Sequence, residues 1–329
     1  MMIIRNLYSH RNIKLFYYLG GCLRLIFPLL KNRNNYIKRL LKKFNKEKDY
    51  IKIRVNYYNK INYNIKPSHD WIPTSDMKIP NQGTVYFFDL KEYVRFYPSK
   101  FLVRFLFGDI TKIPTSPSFV KTRPIKGDNQ NSVLFKLNKV RHFTYTNDRV
   151  NFSEKLNLLI GRNAVQQKQR IDFFKKYFDH PSCDLGQINR GTNHDKWIKK
   201  KISINKHLKY KFILCIEGYD VASNLKWVMS SNSIAVMPKP KFESWLMEGK
   251  LKPDFHYILI KDDFSDLEER LKYYIKNDTE AKKIINNANK YIEQFQNKKR
   301  EDLISLLILE KYFHYSDQIN SSFFENFLK

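Results

Sequence analysis

The chain has 329 residues, is 42% hydrophobic and 15% aromatic, and carries a formal net charge of +28. That apolar content excludes global disorder, and the length suits two domains. Three scattered cysteines, Cys22, Cys183 and Cys215, exclude a disulfide framework and a zinc-spaced cluster, and point to a reducing compartment. The charge leaves three readings open: a nucleic-acid partner, an anionic membrane surface, or lysines spread over solvated faces.

In chain order, residues 1–60 read as basic and helical. Leu15–Leu30 is apolar but interrupted by Gly20, Gly21, Arg24 and Pro28, and it falls short of the roughly 20 apolar residues that a spanning helix needs. Arg5, Arg11 and Lys14 upstream suit a signal peptide, but no small-residue cleavage site follows. The basic run Lys31–Lys48 comes next, so the pair resembles a surface anchor on anionic lipid; a packed helix followed by a solvated one fits equally well. Asn62–Gln82 is loop-like. Thr84–Asp89 reads as a buried strand, Glu92–Tyr97 as a brief helix, and Phe101–Phe107 as a further apolar element. Asp109–Pro117 is a turn-rich loop, and Val133–Leu137 reads as a strand.

From about residue 150 strands and helices alternate. Leu156–Ile160 and Cys183–Gly186 read as strands flanking a helix over Gln167–Phe178. Lys211–Pro240 then spells one βαβ unit: strand Phe212–Ile216, turn Glu217–Asp220, helix Val221–Ser231 and strand Ser233–Met237. A helix N-terminus at the carboxyl end of a parallel strand offers free N–H groups and a positive dipole to a diphosphate. A helix near Phe242–Glu248, a strand at Tyr257–Ile260 and helices over Asp266–Lys276 and Thr279–Gln296 follow. The last stretch, from Arg300, reads as helical and need not belong to the domain before it. The expected class is α/β.

The residues from Lys211 to about residue 300 carry Glu217-Gly218, Lys226, Ser233, Glu243 with Trp245, Pro253, His256-Tyr257 and Asp266-Leu267 in that order. Together with YFFDLKEYVRFYP, FLFGDITKIPTSPSFVKTRPI, NSVLFKLNKVRHFTY and RIDFFKKYFDHPSCDLG upstream, they resemble glycosyltransferase family 90, in its bacterial lipopolysaccharide branch. The resemblance covers roughly residues 85–300. It implies a GT-B architecture: two Rossmann-like lobes facing a cleft, residues 61–152 taking the acceptor and 153–300 the nucleotide sugar. Residues 1–60 and 301–329 would be helical extensions. It further implies inversion at the anomeric carbon, a UDP-sugar donor, a lipid-linked lipopolysaccharide or lipooligosaccharide acceptor, no obligatory metal or other cofactor, and a peripheral place on the cytoplasmic face of the inner membrane.

Such a transfer needs a base for the acceptor hydroxyl and positive groups for the departing diphosphate. No D-x-D occurs, so Arg, Lys and backbone N–H groups must meet the diphosphate charge. Asp109, in Gly-Asp-Ile-Thr-Lys-Ile-Pro, falls where the protein O-glycosyltransferases of the family carry their catalytic Asp; the plain alternative is a turn-capping Asp. Asp89 is the second choice. Arg162 and Arg170 hold the family's two arginine positions, although Gly161 and Asn163 stand where an aromatic and a Gly are usual. Asn224 replaces a phosphate-binding Arg of distant relatives, and Lys226 either pairs with the diphosphate or is an exposed helical lysine. Glu217 and Gly218 would approach sugar or ribose, with a dipole-complementing acid as the alternative for Glu217. Glu243 would also contact the donor. His142 and His256 read as ambiguous or structural. A nucleic-acid binder stays as the competing class, although no zinc-finger, helix-turn-helix or RNP pattern is found. A sugar-binding relative without catalysis is a third reading.

Overall fold

The basic N-terminal sequence folds as three successive helices, α1 (Lys14–Ile26), α2 (Arg33–Lys43) and α3 (Lys48–Tyr58). The computed structural model describes residues 13–27, 32–320 and 327, and the main chain of Tyr8 and Ser9. Arg5, Arg11, residues 28–31 of the apolar and basic stretches, and residues 321–326 of the C-terminal tail therefore lie outside the described residues. Among the described residues, no helix is long and apolar enough to cross a membrane.

The chain divides into two units. A helix-rich unit comprises Asn12–Val140, Phe242–Leu246 and Phe295–Lys329; a sheet unit comprises Met1–Arg11, Arg141–Lys241 and Met247–Gln294. The spine of the helix-rich unit is the helix Lys298–Tyr315, capped by the Asn297 side chain at the Arg300 N–H, 3.2 Å away. Leu303, Ile304, Leu306, Leu307, Ile308, Leu309, Tyr312 and Phe313 bury it on every side, as befits a helix with no polar face. Three short parallel strands, Phe105–Leu106, Ser118–Val120 and Ser132–Leu134, complete this unit's core.

The strand expected at Thr84–Asp89 is instead the start of a helix, α4 (Thr84–Val94), entered from Gly83 at φ +72°. Tyr86, Phe87, Phe88, Leu90, Tyr93 and Val94 are all buried. A run buried on all faces has no readable period, so helix and strand look alike in sequence. Asp89 consequently sits mid-helix rather than at a strand end. It accepts from the Tyr17 hydroxyl at 2.6 Å and from the Lys139 N–H at 2.9 Å, pinning α1 and the turn Lys139–His142 to α4.

Burial pushes the Asp89 carboxyl up from 3.8 to about 6, with Lys139 and Tyr17 opposing. A raised carboxyl stabilises the fold fully below its unfolded value and loses that contribution as pH rises through the folded one. Wild type should therefore lose about 2 kcal/mol relative to Asp89→Asn between pH 4 and pH 7. Urea unfolding of both proteins across that range checks this, and parallel stability profiles would refute it.

The sheet unit holds five parallel strands: β1 (Leu156–Asn163), β2 (Cys183–Gln187), β3 (Tyr210–Leu214), β4 (Ile234–Met237) and β5 (Ile258–Leu259). Their order is β2-β1-β3-β4-β5, all pairs parallel. Leu159, Phe212, Ile234 and Val236 pack in the main cluster with Phe173, Phe174 and Tyr177 of α5 (Lys168–Tyr177), with Leu267, Leu271 and Tyr274 of α6 (Leu267–Lys276), and with Ala281, Ile284 and Ile285 of α7 (Asp278–Glu293). The alternate residues Ile160, Ile213 and Ala235 are buried as well, so both faces are covered, as a parallel sheet requires. The α/β class is thereby observed.

Two expected helices take other forms. Between β3 and β4 the helix shrinks to one turn, Leu225–Val228. Gly218 N–H turns back to Asp220 O, and Asn224 Nδ2 donates to Leu214 O at 2.9 Å, so side-chain and turn bonds replace helical ones. Phe242–Ser244 is a strand antiparallel to Thr122–Pro124, with Glu243 opposite Arg123, and Met247 at φ +57° ends it.

Candidate active site

The strand order reverses between β1 and β3: β1 leads to β2 on one side, and β3 begins the run on the other. Open parallel sheets bind ligands beyond the carboxyl ends of strands at such a switch point. Here those ends are Asn163 and Leu214, and Arg170, in the first turn of α5, spans them. Its guanidinium donates to Ala164 O after β1 (2.9 Å) and to Ile216 O (2.9 Å) and Glu217 O (3.1 Å) after β3. Gln169 Nε2 adds bonds to Glu217 O and Gly218 O at 3.2 and 2.7 Å. A Cβ on Gly218 would stand 3.0 Å from Arg170 Nη2, which gives this glycine a reason independent of any ligand.

Every bond of Arg170 ends on a main-chain carbonyl, and among the described residues no carboxylate pairs with it. Burial, then the positive charge of Arg141, lowers its pKa from 12.5 to about 10, with Asp220 and Glu217 opposing. It stays cationic at neutral pH. Arg141 is exposed and sits close enough for its charge to be felt at Arg170, where Asp220 and Glu217 act against it. Sequence reasoning did not single out Arg141; its one local signal was the basic Val-Arg-His-Phe run.

Beside them, among the described residues, are buried acceptors with no hydrogen-bond partner: Asn163 Oδ1 and Gln187 Oε1, opposite each other in the β1–β2 register, and Gln167 Oε1 at the start of α5. Buried acceptors left open are costly unless a donor arrives. Arginine cations and open acceptors therefore gather at one edge of the sheet. Among the described residues no group of three His, Cys, Asp or Glu side chains has metal-holding geometry.

The other predicted residues are placed as follows. Arg162 lies opposite Gly186, and its guanidinium reaches back to Asp184, donating to Oδ1 at 2.9 Å and to the main-chain O at 2.8 Å. That direction leads away from the carboxyl edge. Glu217 is at the edge, where Oε1 accepts from the Lys241 N–H at 3.1 Å. Asn224 is spent on Leu214 O. Lys226 is not exposed: it is 1% accessible, 3.7 Å from Glu248 Oε1. Glu243 belongs to the helix-rich unit, where its Oε1 accepts from Arg123 Nε at 2.8 Å and its Oε2 from the Tyr57 hydroxyl. His256 is structural: Nδ1 accepts from the Lys252 N–H, and burial, with the charge of Lys252, holds the ring at about 4, neutral at pH 7. Asp109, also in the helix-rich unit, follows Gly108 at φ +116°; buried Lys121 holds one carboxylate oxygen at 2.5 Å, while the side chain stays 42% exposed. That is a positioned, solvent-open carboxylate.

The sequence matches the family model of glycosyl transferase family 90 over residues 138–315. It is 39% identical over 267 residues to O-glucosyltransferase LpsA of Dichelobacter nodosus, covering 80% of this chain and 82% of that one. Shorter matches run to protein O-glucosyltransferase 2 of Danio rerio, 32% identical over 40% of this chain and 24% of that protein, and to human protein O-glucosyltransferase 3, 36% identical over 23% and 15%.

Proposed function

This chain belongs to glycosyltransferase family 90 and is a glycosyltransferase, and from that premise we propose a sugar transfer from a nucleoside diphosphate sugar to a glycan of the lipopolysaccharide or lipooligosaccharide type. The observation that carries the donor half is Arg170, a buried cation whose bonds among the described residues all end on carbonyls at the β1/β3 switch point. A UDP-sugar is the first donor to try, and glucose the first sugar, since the matched relatives are named O-glucosyltransferases.

In this reading Asp109 accepts the proton of the acceptor hydroxyl as its oxygen attacks the anomeric carbon. The bond from that carbon to the diphosphate breaks on the opposite side, and configuration inverts. The nucleoside diphosphate leaves with the bonding pair, its charge met by Arg170, Arg141 and the positive end of the α5 dipole. Asn163, Gln167 and Gln187 accept from hydroxyl or base N–H groups of the donor. Lys226 and Arg162 act through Glu248 and Asp184, keeping the strand ends in place, and no metal enters a step. The two-lobed GT-B arrangement and a lipid-linked acceptor met at the cytoplasmic face of the inner membrane belong to the same reading.

A donor panel of UDP-glucose, UDP-galactose, UDP-xylose and GDP-mannose with a truncated lipooligosaccharide tests it by release of nucleoside diphosphate. Acceptor-dependent release is expected with one UDP-sugar, the product having inverted anomeric configuration by NMR. Asp109→Asn should lower kcat about 100-fold with donor KM unchanged. Full turnover by that variant would remove Asp109 from the mechanism, and no release with any donor would sink the donor assignment.

A further inference from the structure

Helix α1 is built the wrong way round for a core helix. Its inward face is polar or small: Tyr17 bonds to Asp89, and Gly21 lies so close to Phe88 that a Cβ there would stand 2.6 Å from the ring. Arg24, on the same side, contributes to holding the Glu92 carboxyl low. The outward face carries Leu15, Phe16, Leu19, Leu23 and Ile26, spaced i, i+1, i+4, i+8 and i+11, with Leu15 and Ile26 72% and 73% exposed. Amphipathic helices normally turn such a stripe into the protein. Here the polar pins hold the helix against α4 while a contiguous apolar ridge faces outward, and a ridge of that size marks an interaction surface.

Charge decides the partner. The chain has no acidic residue before Glu47, while Lys14 flanks the ridge and Lys38, Arg39, Lys42 and Lys43 stand exposed on the following helix, α2. An apolar ridge with a one-signed cationic surround suits an interface that is apolar beneath and anionic above. We infer that α1 lies in the headgroup boundary of an anionic bilayer, with the lysines and arginine of α2 on its phosphates. This inference stands on α1 and α2 alone and does not rest on the donor or acceptor proposed above.

Flotation of the full-length protein with phosphatidylglycerol-containing vesicles, against pure phosphatidylcholine vesicles, tests it. Wild type should bind the anionic vesicles about tenfold or more tightly, and 0.5 M salt should weaken that binding several-fold. Leu19→Asp/Leu23→Asp and Lys42→Gln/Lys43→Gln should each lower it about tenfold or more. All four side chains are exposed, so thermal unfolding and release of nucleoside diphosphate with a detergent-solubilised acceptor should not change. Binding indifferent to lipid charge, or kept within twofold by the aspartate variant, overturns the inference. So does a wild-type dimer that the aspartate variant splits without any vesicle binding, which would make a second copy the cover of the ridge. Failure of the transferase reading would leave vesicle binding intact, so the two fail separately.

Discussion

Replacing Arg170 with Ala should lower kcat/KM for the nucleotide sugar about a thousandfold, the scale set by removing one preorganised charge-stabilising group. The same side chain ties the strand ends β1 and β3 through three carbonyls, so the variant also loses local order. Arg170→Lys separates the two effects. Lysine restores the charge but not the planar fork that reaches Ala164, Ile216 and Glu217 at once, and it should recover about tenfold of the loss at most. Titration with UDP should show weakened binding in both variants, and added guanidinium should partly rescue the alanine variant alone. Turnover of Arg170→Ala within threefold of wild type would discard the switch point as the donor site.

The largest effect on stability is expected at Glu301. Arg54 and Glu301 are each 1% exposed, with Nη1 and Nη2 of the arginine 2.5 and 3.2 Å from the two carboxylate oxygens. Trp245 Nε1 donates to the same carboxylate, and Lys136 Nζ stands 3.5 Å away. Burial alone would raise the Glu301 carboxyl, yet Arg54 and Lys136 hold it below its ordinary value. Glu301→Gln keeps the shape and removes the charge, leaving two cations buried around a neutral amide. That should cost about 3–5 kcal/mol, a fall of roughly 10 °C in Tm. Pairing it with Arg54→Met should recover much of the loss, because removing both partners is far cheaper than stranding one. An unchanged melting curve for the single variant would mean that the network is dispensable.

Legibility in the sequence followed pattern strength. The β1–α5–β2 alternation was readable because α5 shows Ile171, Phe174 and Phe178 on one face and β1 carries the apolar run Leu158, Leu159 and Ile160, and the observed α5 differs from the reading by one residue at each end. Helix α4 was not readable, since burial on all sides erases the helical period. The turn at Glu217–Asp220 was legible, but the helix expected over Val221–Ser231 shrinks to Leu225–Val228, where side-chain bonds from Asn224 override propensity. Lys226 read equally as a free cation because its partner, Glu248, is distant in sequence and belongs to no motif. Glu243 was grouped with the donor residues because it follows them in sequence, whereas the chain leaves the sheet unit for five residues there. What the resemblance supplied was the list of residue types. What only coordinates supply is which of them face the same edge: Arg170, Glu217 and Gly218 do, joined by Arg141, Asn163, Gln167 and Gln187.

That five-residue excursion also bears on heredity. Phe242–Leu246 pairs its strand with Thr122–Pro124 and stacks Trp245 on Tyr58 at 4.1 Å before the chain returns to the sheet unit. No single crossover in a gene could therefore exchange one unit for a foreign one. A recombinant joined near residue 141 would bring Trp245 and the partner strand from the wrong parent, and Lys298–Tyr315 with them. The two units should consequently have been inherited together, and chimaeras between distant relatives should fold only when all three segments of a unit come from one parent.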